Sequence, residues 1–143
     1  MTEHTGKYYE ELEIGMSHET LHTITEADID AFANVSGDRN PLHMDEDYAK
    51  TTIFKGRIAH GALTASYISG ILGNDLPGPG AIFTDLALQF KRPVRIGDEV
   101  TARAEISEKI DKGSRVTLKV ACYVKGKAVV EGEAKVVAPR KGD

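Results

Sequence analysis

Hydrophobic residues follow two different periods along the chain, and the change between them falls near residue 80. From Ala81 onward apolar and polar residues alternate, which is typical of β-strands with one buried face. The pattern predicts four such strands, and Asp111-Lys-Gly113 and Lys125-Gly126 supply hairpin turns. The positions expected to share a face within each strand are Ile82, Thr84, Leu86, Leu88 and Phe90; Val100, Ala102, Ala104 and Ile106; Val116, Leu118, Val120, Cys122 and Val124; and Ala128, Val130, Ala134 and Val136.

The first half of the chain carries helix signals instead. A helix is expected over residues 25–35, with Thr25 as its N-cap and Gly37 marking its end. A short second helix is expected after Asp45, and an early strand is expected over residues 17–23.

Residues 58–72 fit neither pattern, because they are apolar or small on nearly every side. This composition predicts a buried helix, which is too short to span a bilayer. Gly73-Asn74 is expected to end it. The simplest assembly is an α+β fold in which one antiparallel sheet curls its apolar face around this helix. Because a single sheet of this size has exposed edges, a homodimer is expected.

The composition fits one domain covering residues 1–143, with 41% apolar and 28% charged residues. A formal net charge of −4 disfavours nucleic acid as the main partner. The single cysteine, Cys122, falls in a strand pattern, which predicts an inert core residue and no disulfide within the chain. The sequence shows neither a signal-peptide pattern nor a membrane span, so we expect a cytoplasmic protein without membrane contact.

The most informative polar stretch is Ser36-Gly-Asp-Arg-Asn-Pro-Leu-His-Met-Asp45. Asn40-Pro41 favours a tight, non-helical turn, and such a turn can aim Asp38 and His43 into one cleft. A carboxylate and an imidazole directed at one point can hold a water molecule and move its proton. The alternative is that Asp38 is a turn residue and His43 a surface or capping histidine, since this spacing often arises by chance.

A second informative stretch, residues 51–61, leads directly into the predicted buried helix. Backbone N–H groups at a helix start are unpaired, and Gly61 would let a ligand approach them closely. Such a donor can stabilise a developing oxyanion, although the plainer interpretation is a packing glycine. Together, a water-activating pair and an oxyanion site suit the addition of water to an α,β-unsaturated thioester.

These residues resemble the hydratase motif of MaoC-like (R)-specific enoyl-CoA hydratases. The resemblance is carried by Phe32-Ala-x-x-Ser-Gly-Asp-x-Asn-Pro-Leu-His-x-Asp45, by Ile58-Ala-His-Gly61 and by Phe90-Lys-Arg-Pro-Val-x-x-Gly-Asp98, and it covers most of the chain. It implies a hot-dog fold, in which an antiparallel sheet wraps a long central helix, and a homodimer. It also implies that Asp38 and His43 are the catalytic pair.

The resemblance assigns the backbone N–H of Gly61 to the oxyanion hole. It places Ser69 and Leu72 at the border of the acyl pocket, with core packing as the alternative for both. The implied reaction is the reversible hydration of trans-2-enoyl-CoA to (R)-3-hydroxyacyl-CoA. Neither a metal nor a redox cofactor is expected.

Further polar residues have expected roles around this centre. Asn40 is expected to fix the turn. His60, beside Gly61, is expected to orient the helix start or to contact substrate, with a direct catalytic role as the alternative. Candidates for contact with the phosphates of coenzyme A are Lys55, Arg57, Lys91 and Arg92, with a solvated surface side chain as the alternative for each. The spacings His18-x-x-x-His22 and His43-x-Asp45 could suggest a metal site. His18 and His22 would share a strand face, but no third ligand is evident, so no metal site is predicted.

Three alternatives remain open. A hot-dog thioesterase would share the fold and the coenzyme A substrate but would hydrolyse the thioester. A 3-hydroxyacyl dehydratase acting on acyl carrier protein would use the same chemistry on another carrier. A non-catalytic acyl-binding dimer would keep the fold but would have no use for a water-activating pair. The sequence leaves the preferred acyl chain length open.

Overall fold

A computed structural model describes residues 6–142 of the chain. The strands are Ser17–Thr23 (β1), Ile82–Phe90 (β2), Glu99–Ile110 (β3), Arg115–Val124 (β4) and Lys127–Val137 (β5). The helices are Glu26–Ser36 (α1), Pro41–Met44 (α2), Glu46–Ala49 (α3) and Gly61–Asn74 (α4), and a short 3-10 turn covers Tyr9–Glu11. All four helices lie between β1 and β2 in the chain, so the candidate catalytic residues precede four of the five strands in the sequence.

The five strands form one antiparallel sheet in the order β1-β3-β4-β5-β2. The predicted alternation is confirmed most clearly in β3, whose core-facing side chains have 0% exposure: Val100, Ala102, Ala104 and Ile106. Lys125 and Gly126 both have positive φ, as a two-residue hairpin turn requires. The sheet packs its apolar face on α4, most closely through β3. This arrangement confirms the predicted α+β class.

Helix α1 begins and ends as the sequence predicts. Thr25 Oγ1 accepts a hydrogen bond from the Asp28 N–H at 3.1 Å, and the Asp28 carboxylate accepts one from the Thr25 N–H at 3.0 Å. Gly37 ends the helix with φ at 80°, a left-handed conformation that glycine adopts without strain. The end of α1 therefore fixes where the chain turns towards Asp38.

Helix α4 differs from the buried helix predicted over residues 58–72. It begins at Gly61, and its sheet-facing side is buried at 2% exposure or less at Ile68, Ile71 and Leu72. Its opposite side is exposed at Ala62, Ser66 and Ser69. The predicted burial is confirmed for the side that packs on the sheet, whereas the opposite side is left exposed, because a helix on one face of a single sheet has a side that the described chain does not cover. Neither α4 nor any other helix between residues 6 and 142 is long and apolar enough to cross a membrane.

Strand β2 is confirmed as a strand, but of its apolar side chains only Leu88 packs against the core, and the larger ones are mostly exposed. Leu86 is 42% exposed and Phe90 is 57% exposed. β2 is an edge strand, and its pairing with β5 shifts register between Phe83 and Asp85, which interrupts the strict alternation. The result is an exposed apolar strand beside the exposed side of α4.

Cys122 lies in the core, as predicted, with 0% exposure. Burial raises the pKa of its thiol to about 12. A thiol with such a pKa stays protonated near neutral pH and is a poor nucleophile. Cys122 is therefore a packing residue of β4.

Candidate active site

The candidate catalytic pair lies on the segment between α1 and α3. Asn40 Oδ1 accepts a hydrogen bond from the Leu42 N–H at 3.0 Å, which makes Asn40 the N-cap of α2. Pro41 takes the first helical position, where its missing N–H costs nothing. The prediction of a non-helical turn was therefore wrong, because Asn40-Pro41 starts a one-turn helix that carries His43.

His43 is held at one ring nitrogen by the backbone. Its Nδ1 lies 2.8 Å from the carbonyl oxygen of Ile58, and the residue is 9% exposed. Because a carbonyl oxygen can only accept, Nδ1 carries the hydrogen, and in the neutral ring Nε2 keeps a free lone pair. Nε2 is therefore the nitrogen that can take a proton from a bound water molecule.

Arg57 holds the backbone of the same histidine. Its Nε donates to the His43 carbonyl oxygen at 2.6 Å, and its Nη1 pairs with Glu26 Oε1 at 2.9 Å. The Arg57 side chain is 9% exposed, so it is engaged within the fold rather than free for the phosphate contact predicted from the sequence. No local signal reveals this role, because the contact joins residues far apart in the chain.

Asp38 is exposed and is positioned largely by its neighbours in sequence. Its N–H donates to Ser36 Oγ at 3.0 Å, and its Oδ1 accepts from the Asn40 N–H at 3.2 Å. Its carbonyl oxygen accepts from His60 Nε2 at 2.9 Å. Polar side-chain atoms of Asp38, His43 and His60 lie within 4.8 Å of one another. The structure thus brings the predicted pair together at a spacing that one water molecule can bridge.

Gly61 is the first residue of α4 and lines the same cavity as His43. A Cβ at this position would lie 2.8 Å from Phe90 Cε1, so the ring packs directly on the glycine. The N–H of a first helical residue has no partner within the helix. Both interpretations of Gly61 therefore have support, because it packs closely on Phe90 and carries a helix-start N–H beside the cavity.

The cavity beside His43 has a volume of about 440 Å³. Its apolar wall comes mainly from Phe54, Ile58, Phe90, Pro93, Val94 and Val130. Thr64 also lines it and was missed at the sequence level, although it follows Gly61 by about one helical turn. This size and mixture of walls suit the reactive end of an acyl thioester.

The two predicted cations that line this cavity already have protein partners. Lys91 Nζ lies 3.5 Å from Glu131 Oε1, and Arg92 Nη1 donates to the Ala128 carbonyl oxygen at 2.5 Å. Lys55 is exposed and does not line the cavity. Because Lys91 and Arg92 line the cavity, they are better placed than Lys55 for contact with a coenzyme A phosphate.

The two predicted acyl-pocket residues lie outside this cavity. Leu72 is 2% exposed within the hydrophobic core, a position that favours core packing. Ser69 lines a neighbouring groove along α4 together with Ala62, Ala65, Ser66, Leu86, Leu88 and Phe90. Phe90 lines both the groove and the cavity, so the two spaces meet at its ring.

A larger cleft of about 670 Å³ lies on the outer face of the sheet. Arg103 lines it and pairs with Glu19 at 3.2 Å and Glu105 at 2.8 Å. None of the candidate catalytic residues lines this cleft. The smaller cavity, which His43 and Gly61 share, is therefore the candidate active site.

Comparison with known proteins shows the family of the chain. The family model described as MaoC like domain matches residues 10–135. The chain belongs to the MaoC-like family. A relative from Rhodospirillum rubrum, named (R)-specific enoyl-CoA hydratase, is 50% identical over 135 residues, which cover 94% of each sequence. A relative from Methylorubrum extorquens, named 3-hydroxybutyryl-CoA dehydratase, is 44% identical over 134 residues, covering 94% of this chain and 85% of the relative.

The fold of this MaoC-like chain also matches solved structures. The unliganded R-hydratase from Pseudomonas aeruginosa superposes with a TM-score of 0.90 at 44% identity, covering 95% of this chain and 88% of that one. The agreement confirms the hot-dog fold, with α4 as the central helix.

Proposed function

We propose that this MaoC-like protein is an (R)-specific enoyl-CoA hydratase, which converts trans-2-enoyl-CoA to (R)-3-hydroxyacyl-CoA and catalyses the reverse dehydration. One observation carries the proposal. His43, with Nε2 free, has a polar atom within 4.8 Å of the Asp38 carboxylate, beside a cavity that the start of α4 also lines. This is the arrangement that water addition to an unsaturated thioester needs.

The names of the relatives agree with this reaction. The Rhodospirillum rubrum relative is named for hydration of an enoyl-CoA, and the Methylorubrum extorquens relative is named for dehydration of a 3-hydroxybutyryl-CoA. These are opposite directions of one chemical step. Both names specify a coenzyme A thioester, which supports coenzyme A over acyl carrier protein as the carrier.

The first half of the reaction forms the carbon–oxygen bond. Asp38 and His43 hold one water molecule beside C3 of the bound thioester, and His43 Nε2 takes a proton as the water oxygen bonds to C3. The electron pair of the C2=C3 bond moves towards the thioester carbonyl and forms an enolate. The Gly61 N–H and the positive end of α4 stabilise the charge on the enolate oxygen.

The second half returns the proton. The His43 imidazolium donates its Nε2 hydrogen to C2 on the same face while the carbonyl reforms. The Asp38 carboxylate stabilises the imidazolium while it exists. The atoms balance with water alone, so the proposed step needs no metal or redox cofactor, although two imidazoles and a carboxylate are donors that divalent metals also accept.

A homodimer is part of the proposal. Three apolar side chains of the edge strand β2 are exposed by 42% to 61%, namely Ile82, Leu86 and Phe90. Small residues of α4 lie beside them and would let another backbone approach closely. A second copy of the chain suits this surface, because it can cover the apolar side chains and pair with the free strand edge.

We also propose that the protein acts in the cytoplasm, because it has no disulfide within the chain. The sequence contains one cysteine, and the structure shows it as a free, buried thiol. A chain without a disulfide has no need of an oxidising compartment.

A hydration assay with crotonyl-CoA tests the proposal through the loss of conjugated-thioester absorbance. Asp38→Asn and His43→Gln remove the charge or the ring with little change in size. We expect each to lower kcat at least about 100-fold, because general acid–base groups contribute on that scale. His22→Gln, away from the cavity, is the control that retains activity. Wild-type kcat in both catalytic variants would refute the assignment.

Other outcomes of the same assay would identify the alternatives. Release of free coenzyme A, measured with a thiol reagent, would indicate a thioesterase. Tight binding of crotonyl-CoA without turnover would indicate an acyl-binding module. A kcat/KM that is higher for the acyl-carrier-protein thioester would indicate a different carrier.

A further inference from the structure

Two buried polar side-chain atoms in residues 6–142 have no hydrogen-bond partner, and both lie at the start of α4. They are His60 Nδ1 and Thr64 Oγ1, in residues that are each 1% exposed. An unpaired buried polar atom is costly, so each one in a fold calls for an explanation. His60 is the more informative of the two, because its ring contacts the catalytic pair directly.

The nitrogen Nε2 of His60 is committed to Asp38. It lies 2.9 Å from the Asp38 carbonyl oxygen, which can only accept, so Nε2 carries the hydrogen. In the neutral ring Nδ1 is then an acceptor without a hydrogen. The contact spans 22 residues of sequence and joins the loop after α1 to the residue that precedes α4.

The ring of His60 is also in contact with His43. The two ring centroids are 4.1 Å apart with an interplanar angle of 30°. Phe32 of α1 packs on His60 as well, with ring centroids 4.9 Å apart. The imidazole of His60 is thus held by an aromatic side chain of α1 and supports the ring of His43.

We propose that His60 is a positioning residue for both members of the catalytic pair. Its Nε2–H holds the backbone of Asp38, and its ring supports the imidazole of His43. This role replaces the substrate contact expected from the sequence, since His60 is buried and does not line the cavity. The inference rests on the proposed function, because its kinetic test measures hydration.

The place of His60 in the chain adds a third connection. The peptide bond after His60 supplies the N–H of Gly61, so His60 links the oxyanion donor to the pair. The other hydrogen bonds of Asp38 in the described chain go to Ser36 and Asn40, two residues away on either side. The bond from His60 is therefore what ties the exposed Asp38 loop to α4.

Three substitutions separate the parts of the His60 ring. His60→Gln can place an amide N–H near the position of Nε2, His60→Asn places its amide near Nδ1, and His60→Phe keeps a ring without nitrogen. We expect Gln to keep kcat within about tenfold of wild type, and Asn and Phe to lower it about 100-fold, the scale of a lost alignment. The KM for crotonyl-CoA should stay within about twofold, because His60 does not line the cavity.

His22→Gln is the matched control for these variants. His22 also packs its ring on α4, with centroids 3.9 Å from the Tyr67 ring, but it lies away from the cavity. Its kcat should match wild type. In an Asp38→Asn background, adding His60→Asn should lower kcat only a little further, because the effects of residues that act as a unit are not additive. A fall in kcat that is as large in His60→Gln as in His60→Asn would overturn the positioning role. An equal fall in kcat from His60→Asn in the wild-type and Asp38→Asn backgrounds would also overturn it.

Amide hydrogen exchange gives a second readout that does not depend on activity. The amides of Asp38 and Asn40 should exchange at least about tenfold faster in His60→Asn and His60→Phe than in wild type, but not in His60→Gln. This pattern supports the positioning role even if wild type fails to hydrate crotonyl-CoA, in which case the proposed function alone fails. Equal exchange in all variants overturns the positioning role and leaves the hydratase function intact.

Discussion

At Gly61 the start of a helix and an aromatic ring meet without space for a side chain. An added Cβ would lie 2.8 Å from Phe90 Cε1 and 2.9 Å from Cδ1. The atoms of Phe90 that the Cβ would meet belong to a side chain, which can rotate, whereas the backbone of α4 is held by the packing of the helix on the sheet. A larger residue would therefore displace Phe90 within the cavity.

Gly61→Ala should lower kcat/KM for crotonyl-CoA at least about tenfold, since small displacements in an active site are costly. Adding Phe90→Ala should recover part of that loss, because it removes the atoms that the new Cβ meets. Steady-state kinetics of the single and double variants measures both effects. Full activity in Gly61→Ala would contradict the place of Gly61 in the site.

At the residue scale, the catalytic candidates could be predicted because they lie on two short local motifs. What the motifs could not reveal is how each group is held. The proton on His43 Nδ1 is decided by the Ile58 carbonyl oxygen, and the support from Arg57 and His60 also crosses between separate segments. Those contacts join residues 38 and 43 to residues 57, 58 and 60, and the spacing of residues along the chain does not reveal them. The spacing therefore left open which member of the pair takes the first proton.

At the element scale, β5 pairs with β2 at Gly132 without space for a side chain. A Cβ there would lie 2.9 Å from the Ala87 carbonyl carbon and 3.0 Å from the Leu88 Cα, both of which are backbone atoms. Backbone cannot rotate away as a side chain can, so a methyl group must push the edge strand outward.

Gly132→Ala should destabilise the protein by at least about 3 kcal/mol, at the upper end of overpacking effects. Urea unfolding measures the change. Gly70→Ala is the control, since a Cβ on this α4 residue meets nothing within 4 Å, and alanine should stabilise a helix interior by up to about 1 kcal/mol. Similar stabilities for Gly132→Ala and wild type would mean that β2 does not pack as described.

Sequence pattern predicted the elements with local signals and missed those set by their surroundings. The bounds of β1 and the capping of α1 by Thr25 follow from residues within each segment. The exposure of β2 could not be predicted, because alternation indicates an apolar face but not what covers it. The helix α2 was missed although Asn40-Pro41 is also a good N-cap and first-turn pair.

At the scale of the whole molecule, the exposed face of β2 predicts the oligomeric state. Sedimentation analysis should find a dimer, and Leu86→Arg should shift it towards monomer by placing a charge in the covered surface. Ile14→Arg is the control, because Ile14 is 66% exposed in the loop before β1, at the other end of the strand order. A monomeric wild type, or a dimer unaffected by Leu86→Arg, would contradict the proposed interface.

The configuration of the product is the most direct test of the proposed hydration by a water molecule held between Asp38 and His43. A single water molecule held between Asp38 and His43 can reach only one face of the double bond, so one enantiomer should form. The 3-hydroxybutyryl-CoA formed from crotonyl-CoA is hydrolysed with alkali, and chiral chromatography of the resulting 3-hydroxybutyrate should give the (R) form alone. The (S) form, a racemic mixture, or free coenzyme A without hydration would contradict the proposed function.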